Sequence, residues 1–138
     1  MSFSVRRVRY YYVRLEDKPG RGYELLARLA SEDINLLAFS VVPYGSMVEL
    51  TIFPENEAGF AAALAKHGIQ ISVPQHAFLI QGDDRLGALA EIHKALFDAG
   101  VNIYASSGVT DGLGHFGYII YIKESDHAAA SRALGIVS

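Results

Sequence analysis

The 138-residue chain is 51% hydrophobic and 20% charged, carries a formal net charge of -3 at pH 7 and has no cysteine. These figures exclude a disordered tail, a disulfide framework, thiolate metal sites and a cysteine nucleophile, and they give no field that would draw in a phosphate backbone or an anionic lipid surface. No run approaches the ~20 apolar residues of a membrane helix and no apolar signal core precedes the first strand, so the expectation is a cytoplasmic protein with no nucleic-acid and no membrane partner.

Val5 to Leu15 is rich in β-branched and aromatic residues and reads as a strand, with Tyr11, Val13 and Leu15 on one face and Tyr10, Tyr12 and Arg14 on the other. Its arginines and tyrosines also suit a base-stacking platform for RNA, the less favoured alternative to a half-exposed strand. The turn Asp17-Lys18-Pro19-Gly20 leads into a helix over Gly22 to Glu32, where Leu25, Leu26 and Leu29 form an apolar stripe. Ile34 to Pro43 and Met47 to Phe53 read as a hairpin around Tyr44-Gly45-Ser46. A helix over Glu57 to His67 turns Phe60 and Leu64 inward and stops at Gly68, and Ile69 to Val73 reads as a fourth strand.

The same order then recurs. Strand His76 to Gln81, helix Gly87 to Ala99, strand Val101 to Val109, turn Asp111 to Gly114, strand His115 to Ile122 and helix Ser125 to Leu134 follow, and the last strand is cut to Gly135-Ile136-Val137-Ser138. At a constant offset of 67, Val8 to Ile71 and Gln75 to Ser138 share 16 identities in 64 positions. Unrelated segments would share about four, so the chain reads as a duplication. The expected architecture is α+β, with two tandem ferredoxin-like βαββαβ units, antiparallel sheets and helices on one face, spanning residues 1–74 and 75–138. Each unit alone would be marginal in size, so a shared core is expected. The cut strand leaves a sheet side open or completed by a partner.

The repeat makes one loop into two candidate sites. In both Asp17-Lys18-Pro19-Gly20 and Asp84-Arg85-Leu86-Gly87 an acid, a base and a glycine precede a helix, so backbone N–H groups at its N-terminus face a ligand carboxylate or phosphate. Asp17 or Asp84 would hold an ammonium group, making the pair a complement to a zwitterion. An ordinary strand-to-helix turn with an acidic cap explains the same residues. Asn35 and Asn102 open the second strand of each unit and offer both donors and acceptors, or serve as αL or turn residues. In a split βαβ unit the first and second strands run parallel, so each asparagine lies at the opposite end from the loop of its own unit. Loop and asparagine meet only if two units pair edge to edge.

The remaining candidates are weaker. Ser125-Asp126-His127 contains triad residue types, but adjacent residues at a helix start cannot form a relay, and Ser125 suits an N-cap. The five histidines show no metal spacing. His93 reads as a half-buried helix histidine, and Ser106-Ser107-Gly108 as small strand residues that suit a pocket wall or a close domain contact.

Asp17 to Gly20 with Asp33-Ile34-Asn35, and Asp84 to Gly87 with Gly100-Val101-Asn102-Ile103, resemble two ACT domains in tandem over nearly the whole chain. The resemblance implies an allosteric, non-catalytic regulatory protein without cofactor or metal. It implies a small amino acid bound between paired domains by the glycine loop of one and the second-strand start of the other. Asp17, Lys18, Gly20, Asn35, Asp84, Arg85, Leu86, Gly87 and Asn102 are the residues that would carry it. The pair Gly87 with Asn35 is preferred, then Gly20 with Asn102. A homodimer and a separate metabolic enzyme or regulator are the implied partners. Leu86 stands where the family has proline, and Arg21-Gly22 stands where it has an apolar residue. The alternative is a ligand-free protein-protein interaction module of the same fold.

Overall fold

A computed structural model describes residues 3–136. Among them are six strands and four α-helices: β1 (Phe3–Glu16), α1 (Arg21–Ser31), β2 (Leu36–Tyr44), β3 (Met47–Pro54), α2 (Phe60–Lys66), β4 (Gln75–Asp83), α3 (Ala88–Asp98), β5 (Ala105–Thr110), β6 (His115–Tyr121) and α4 (His127–Ala133). The class is α+β. The chain divides into two compact units, residues 9–75 and, among the described residues, 3–8 with 76–136. No helix is long and apolar enough to cross a membrane.

In the first unit the strand order is β2-β3-β1, antiparallel throughout. Tyr11 and Val13 of β1 and Leu50 and Ile52 of β3 meet Leu25 and Leu29 of α1 and Phe60 and Leu64 of α2 in one core. Leu25 and Leu29 are four residues apart on one helical face. Leu26 falls off that stripe and stays partly exposed, narrower than the three-leucine stripe expected. The expected fourth strand at Ile69 to Val73 forms no ladder among the described residues. Ser72 bonds β1: its N–H donates to the Tyr12 carbonyl at 3.1 Å, and its Oγ accepts from the Tyr12 N–H at 3.0 Å. A hydroxyl therefore stands where a second backbone carbonyl would continue the pairing, and Pro74 has no N–H to extend it.

The second unit has the order β1-β4-β6-β5 and its own core, built on Phe78, Ile80, Ile92, Leu96, Tyr118 and Ile120. Two separate cores replace the shared one expected. The first half of β1 belongs here, although the sequence assigns it to the first repeat. Phe3 and Val5 pack on this core, and the Ser4 hydroxyl donates to the Gln81 carbonyl at 3.3 Å. Arg7 Nε donates to His127 Nδ1 at 2.9 Å, and Arg7 Nη2 pairs with Glu124 at 2.7 Å. The start of the chain thus takes the place beside β4 expected for the last strand. Gly135 and Ile136 form no strand, and Val137 and Ser138 lie outside the described residues.

The second unit runs one residue out of step with the first through the hairpin, and the offset of 67 returns at α2 and α4. Tyr44 pairs with Met47 across a two-residue turn, whereas Asp111 closes on His115 around Gly112-Leu113-Gly114, one residue longer. As a result Ile52 faces Tyr11 while Ile120, not Ile119, faces Phe78. A one-residue shift moves every side chain of a strand to the other face. The equivalents of Val48, Leu50 and Ile52 are therefore Phe116, Tyr118 and Ile120. The extra residue is held by Asp111, whose carboxylate accepts the N–H groups of Leu113 at 2.6 Å and His115 at 3.1 Å. These bonds hold its pKa below the usual aspartate value, the Leu113 N–H contributing most.

Candidate functional site

The second unit carries a cleft of ≈ 710 Å³ beside the Asp84 to Gly87 loop. Its position follows from topology. β4 and β5 are both antiparallel to β6, so they run parallel, and the loop that leaves β4 lies at the same end as the finish of β5 and the start of β6. That end supplies Gly108, Val109 and Thr110 from β5 and Phe116 and Gly117 from β6. The loop is tied there by the Asp84 N–H, which donates to the Gly114 carbonyl at 2.9 Å.

Gly87 takes φ 83, in the left-handed region, and no side chain caps α3 behind it. A residue with a Cβ is strained in that conformation, which is why glycine opens the helix. Its carbonyl accepts the Glu91 N–H at 3.1 Å, and the first turn of α3, through Ala88, Leu89 and Ala90, forms the cleft's other wall. Arg85 forms an ion pair with Glu91, so its charge is compensated within the loop and helix. Asp84 and Leu86 are exposed at the mouth.

Small residues are among those that line the cleft. With the hairpin slip included, Ala88, Gly108 and Gly117 correspond to Arg21, Val41 and Glu49 of the first unit. Those side chains are occupied differently: Arg21 pairs with Glu24 at 3.3 Å and Glu49 with Arg14 at 3.1 Å. Gly108 also leaves room for a neighbour, since a Cβ there would meet Tyr118 Cδ1 at 3.0 Å. Tyr118 lies across that gap and its hydroxyl bonds His93 Nε2 at 2.7 Å.

The structure brings some of the expected site residues together and leaves others apart. Asp84, Arg85, Leu86 and Gly87 line one cleft. Asn102, just before β5, is exposed and is not among its lining residues, as the parallel run of β4 and β5 requires. In the first unit Asn35 Nδ2 donates to Glu55 Oε2 at 2.9 Å, and the Asn35 carbonyl accepts the Glu55 N–H at 2.9 Å. The left-handed residues before the second strands are Asp33 and Gly100 rather than the asparagines. Asp17, Lys18 and Gly20 are exposed, with Lys18 Nζ on Glu16 at 2.8 Å. A separate cleft of ≈ 400 Å³ in this unit is lined by Arg14, Glu16, Arg21, Glu24 and Arg28 rather than by those three.

No protein-family model and no curated protein matches the sequence. Solved structures do. A crystal structure of a protein from Bacteroides thetaiotaomicron matches with a TM-score of 0.81 at 21% identity, over 95% of this chain and 88% of that one. The regulatory subunit of aspartate kinase from Thermus thermophilus, in ligand-free form, matches at 0.63 and 17% identity, over 98% of this chain and 95% of that one. The corresponding subunit from Thermus flavus matches at 0.62 and 15%, over 98% and 95%. This chain shares their fold. At such identities the likeness extends to architecture and leaves the ligand to be argued from the cleft.

Other candidates fare less well. Tyr10 is 2% exposed and stacks on Phe53 at 4.9 Å, so it cannot serve as a base-stacking platform. Ser125 sits inside a 3-10 turn over Glu124–Asp126, and Asp126 takes the N-cap place of α4. Of Ser106, Ser107 and Gly108, only Gly108 lines the cleft. Sequence reasoning missed Ala88, Leu89 and Ala90 at the start of α3 and Val109, Thr110, Phe116 and Gly117 on the strands. The signal for the strand residues was the parallel course of the first and second strands, which puts the end of the second strand beside the loop.

Proposed function

We propose that this chain is a non-catalytic regulatory protein that senses a small amino acid. The ligand sits at the Asp84 to Gly87 loop, its carboxylate toward the first turn of α3 and its ammonium group toward Asp84. A second copy of the chain pairs edge to edge, delivers Asn35 or Asn102 to the loop, and the dimer signals to a metabolic enzyme or regulator. The observation that carries this is the cleft itself: the loop singled out by the repeat opens onto a concave site of ligand size, with an uncapped helix start as one wall. The fold shared with regulatory subunits of aspartate kinase supports the regulatory part. Asp17, Lys18 and Gly20 would form the second, pseudo-equivalent site.

A small amino acid bound at about -0.7 kcal/mol per heavy atom has an affinity on the order of tens of micromolar. The test is a thermal-shift screen of the twenty amino acids at millimolar concentration. A ligand at about 100 times its dissociation constant adds ~2.7 kcal/mol, which raises Tm by several degrees. At least one amino acid is expected to do so. No shift with any of them removes the sensor function and leaves the ligand-free interaction module.

A further inference from the structure

From the composition of the cleft walls we infer that the amino acid recognised at Asp84 to Gly87 has an uncharged, apolar side chain of branched-aliphatic to aromatic size. This rests on the amino-acid function proposed above and adds the ligand's class to it.

Three observations converge. Leu86 and Leu89 are large apolar side chains displayed to solvent at the cleft, Leu86 fully and Leu89 with 42% of its surface exposed, and Phe116, on the helix-facing side of β6, stands buried behind them. An exposed apolar group has no energetic reason to gather around a concavity unless something covers it there. On the helix-facing side the lining includes Ala88 and Gly108, where the first unit has the bulkier Arg21 and Val41. That side of the cleft is therefore roomy as well as apolar. Finally, the charges lining it are Asp84 and Arg85, and Arg85 is already compensated by Glu91.

The charge balance decides between ligand classes. Once Asp84 holds the α-ammonium group, no second carboxylate lines the cleft for a lysine or arginine side chain, and the one cation there is engaged. A charged side chain would lose its water against Leu86, Leu89 and Phe116 without gaining a partner, an uncompensated desolvation. Thr110 is the remaining polar side chain on the wall and lies at the edge-strand end, where it can stay hydrated. Each buried methylene, by contrast, favours binding by about 0.8 kcal/mol, so leucine or isoleucine should bind on the order of tenfold or more tighter than alanine.

The experiment is calorimetric titration of the full chain with leucine, isoleucine, valine, methionine and phenylalanine, against alanine, serine, lysine, aspartate and glutamate. It is repeated with Leu86→Asp, a fully exposed loop position at the cleft whose change leaves the core alone. The expected result is binding of at least one of the first five, with lysine, aspartate and glutamate silent. Leu86→Asp should weaken that binding about tenfold while leaving the ligand-free Tm within a degree or two. Tighter binding of a charged or small polar amino acid overturns the apolar class and leaves the sensor function standing. Silence across both sets overturns the apolar class, and silence across all twenty overturns the sensor function with it. Unchanged apolar affinity in Leu86→Asp removes the loop from the cleft wall.

Discussion

Gly108 is the residue on which the shape of the cleft turns. It sits opposite Tyr118 in the β5–β6 pairing, and the tyrosine ring lies against it, 5% exposed and held at its far end by His93. Two effects compete on substitution. Replacing glycine by alanine restricts the unfolded chain and stabilises by about 0.4–1 kcal/mol where the native conformation is compatible. Against that, the added Cβ meets Tyr118 Cδ1 at 3.0 Å, and a buried, hydrogen-bonded ring has little freedom to yield. Overpacking of this kind costs about 1–3 kcal/mol, so Gly108→Ala should be net destabilising by about 1 kcal/mol in chemical denaturation. In a Tyr118→Ala background the sign should reverse. A stabilised single variant would mean that the ring swings aside. Gly87 calls for the opposite caution: no atom lies within 4 Å of its missing Cβ, yet its φ of +83 strains any β-branched replacement, so Gly87→Val would disturb the loop before it tested ligand contact.

At the scale of elements, β1 joins two cores along its 14 residues. Its inner half, from Tyr11, pairs with β3, and its outer half packs Phe3 and Val5 on the second core. Arg7 fixes the outer half by donating to buried His127, whose Nε2 lies 2.9 Å from the Ile122 carbonyl, and by pairing with exposed Glu124. Arg7→Met keeps the aliphatic stem but leaves His127 Nδ1 without that donor. The cost should be about 1–3 kcal/mol, chiefly from the unsatisfied buried nitrogen, because the surface pair with Glu124 contributes little. Hydrogen exchange should accelerate in β4, β6 and α4 more than in β3 and α1. Equal acceleration in both units would show that the outer half of β1 is not held by Arg7.

The same strand shows how far the sequence was legible. Period-two alternation placed β1 and put Tyr11 and Val13 together on one face, because a local pattern reports local conformation. It could not report that a strand this long is divided between two units, since hydrogen-bond partners lie far away in sequence. The excess length was the available clue: strands average five to six residues, and the repeat that lacked a last strand began where an overlong one was to hand. The hairpin slip was legible in principle. Phe116, Tyr118 and Ile120 alternate out of phase with Val48, Leu50 and Ile52 at an offset of 67, and parity outweighs scattered identities when a core face is at stake. For the site, Asp84 to Gly87 was visible because glycine and an acid at a helix start have few uses. Val109 and Phe116 were not, because apolar strand residues look alike until topology says which end they occupy.

For the whole molecule the open question is what covers β5, exposed along its full length from Ala105 to Thr110, and the outer part of β2, where Val41, Val42 and Tyr44 are each about half exposed. Edge strands with unpaired backbone groups either carry charge or take a partner, and neither Ala-Ser-Ser-Gly-Val-Thr nor Ser-Val-Val-Pro-Tyr carries a charge. A second copy of the chain fits that need through antiparallel pairing of like edges, an isologous contact. If the proposed ligand lies across such a contact, ligand and dimer are linked, and by reciprocity whatever the dimer adds to ligand affinity the ligand adds to dimer affinity. Sedimentation equilibrium should therefore show a dimer whose dissociation constant falls at least fivefold when a binding amino acid is added at saturation. Ser107→Lys, which sets two like charges against each other in a pairing of β5 with its copy, should weaken the dimer with and without ligand. A dimer indifferent to ligand would confine the site to a single chain and remove Asn35 and Asn102 from it. A chain that stays monomeric with ligand bound would leave the cleft as a site but take away the contact through which it was to report.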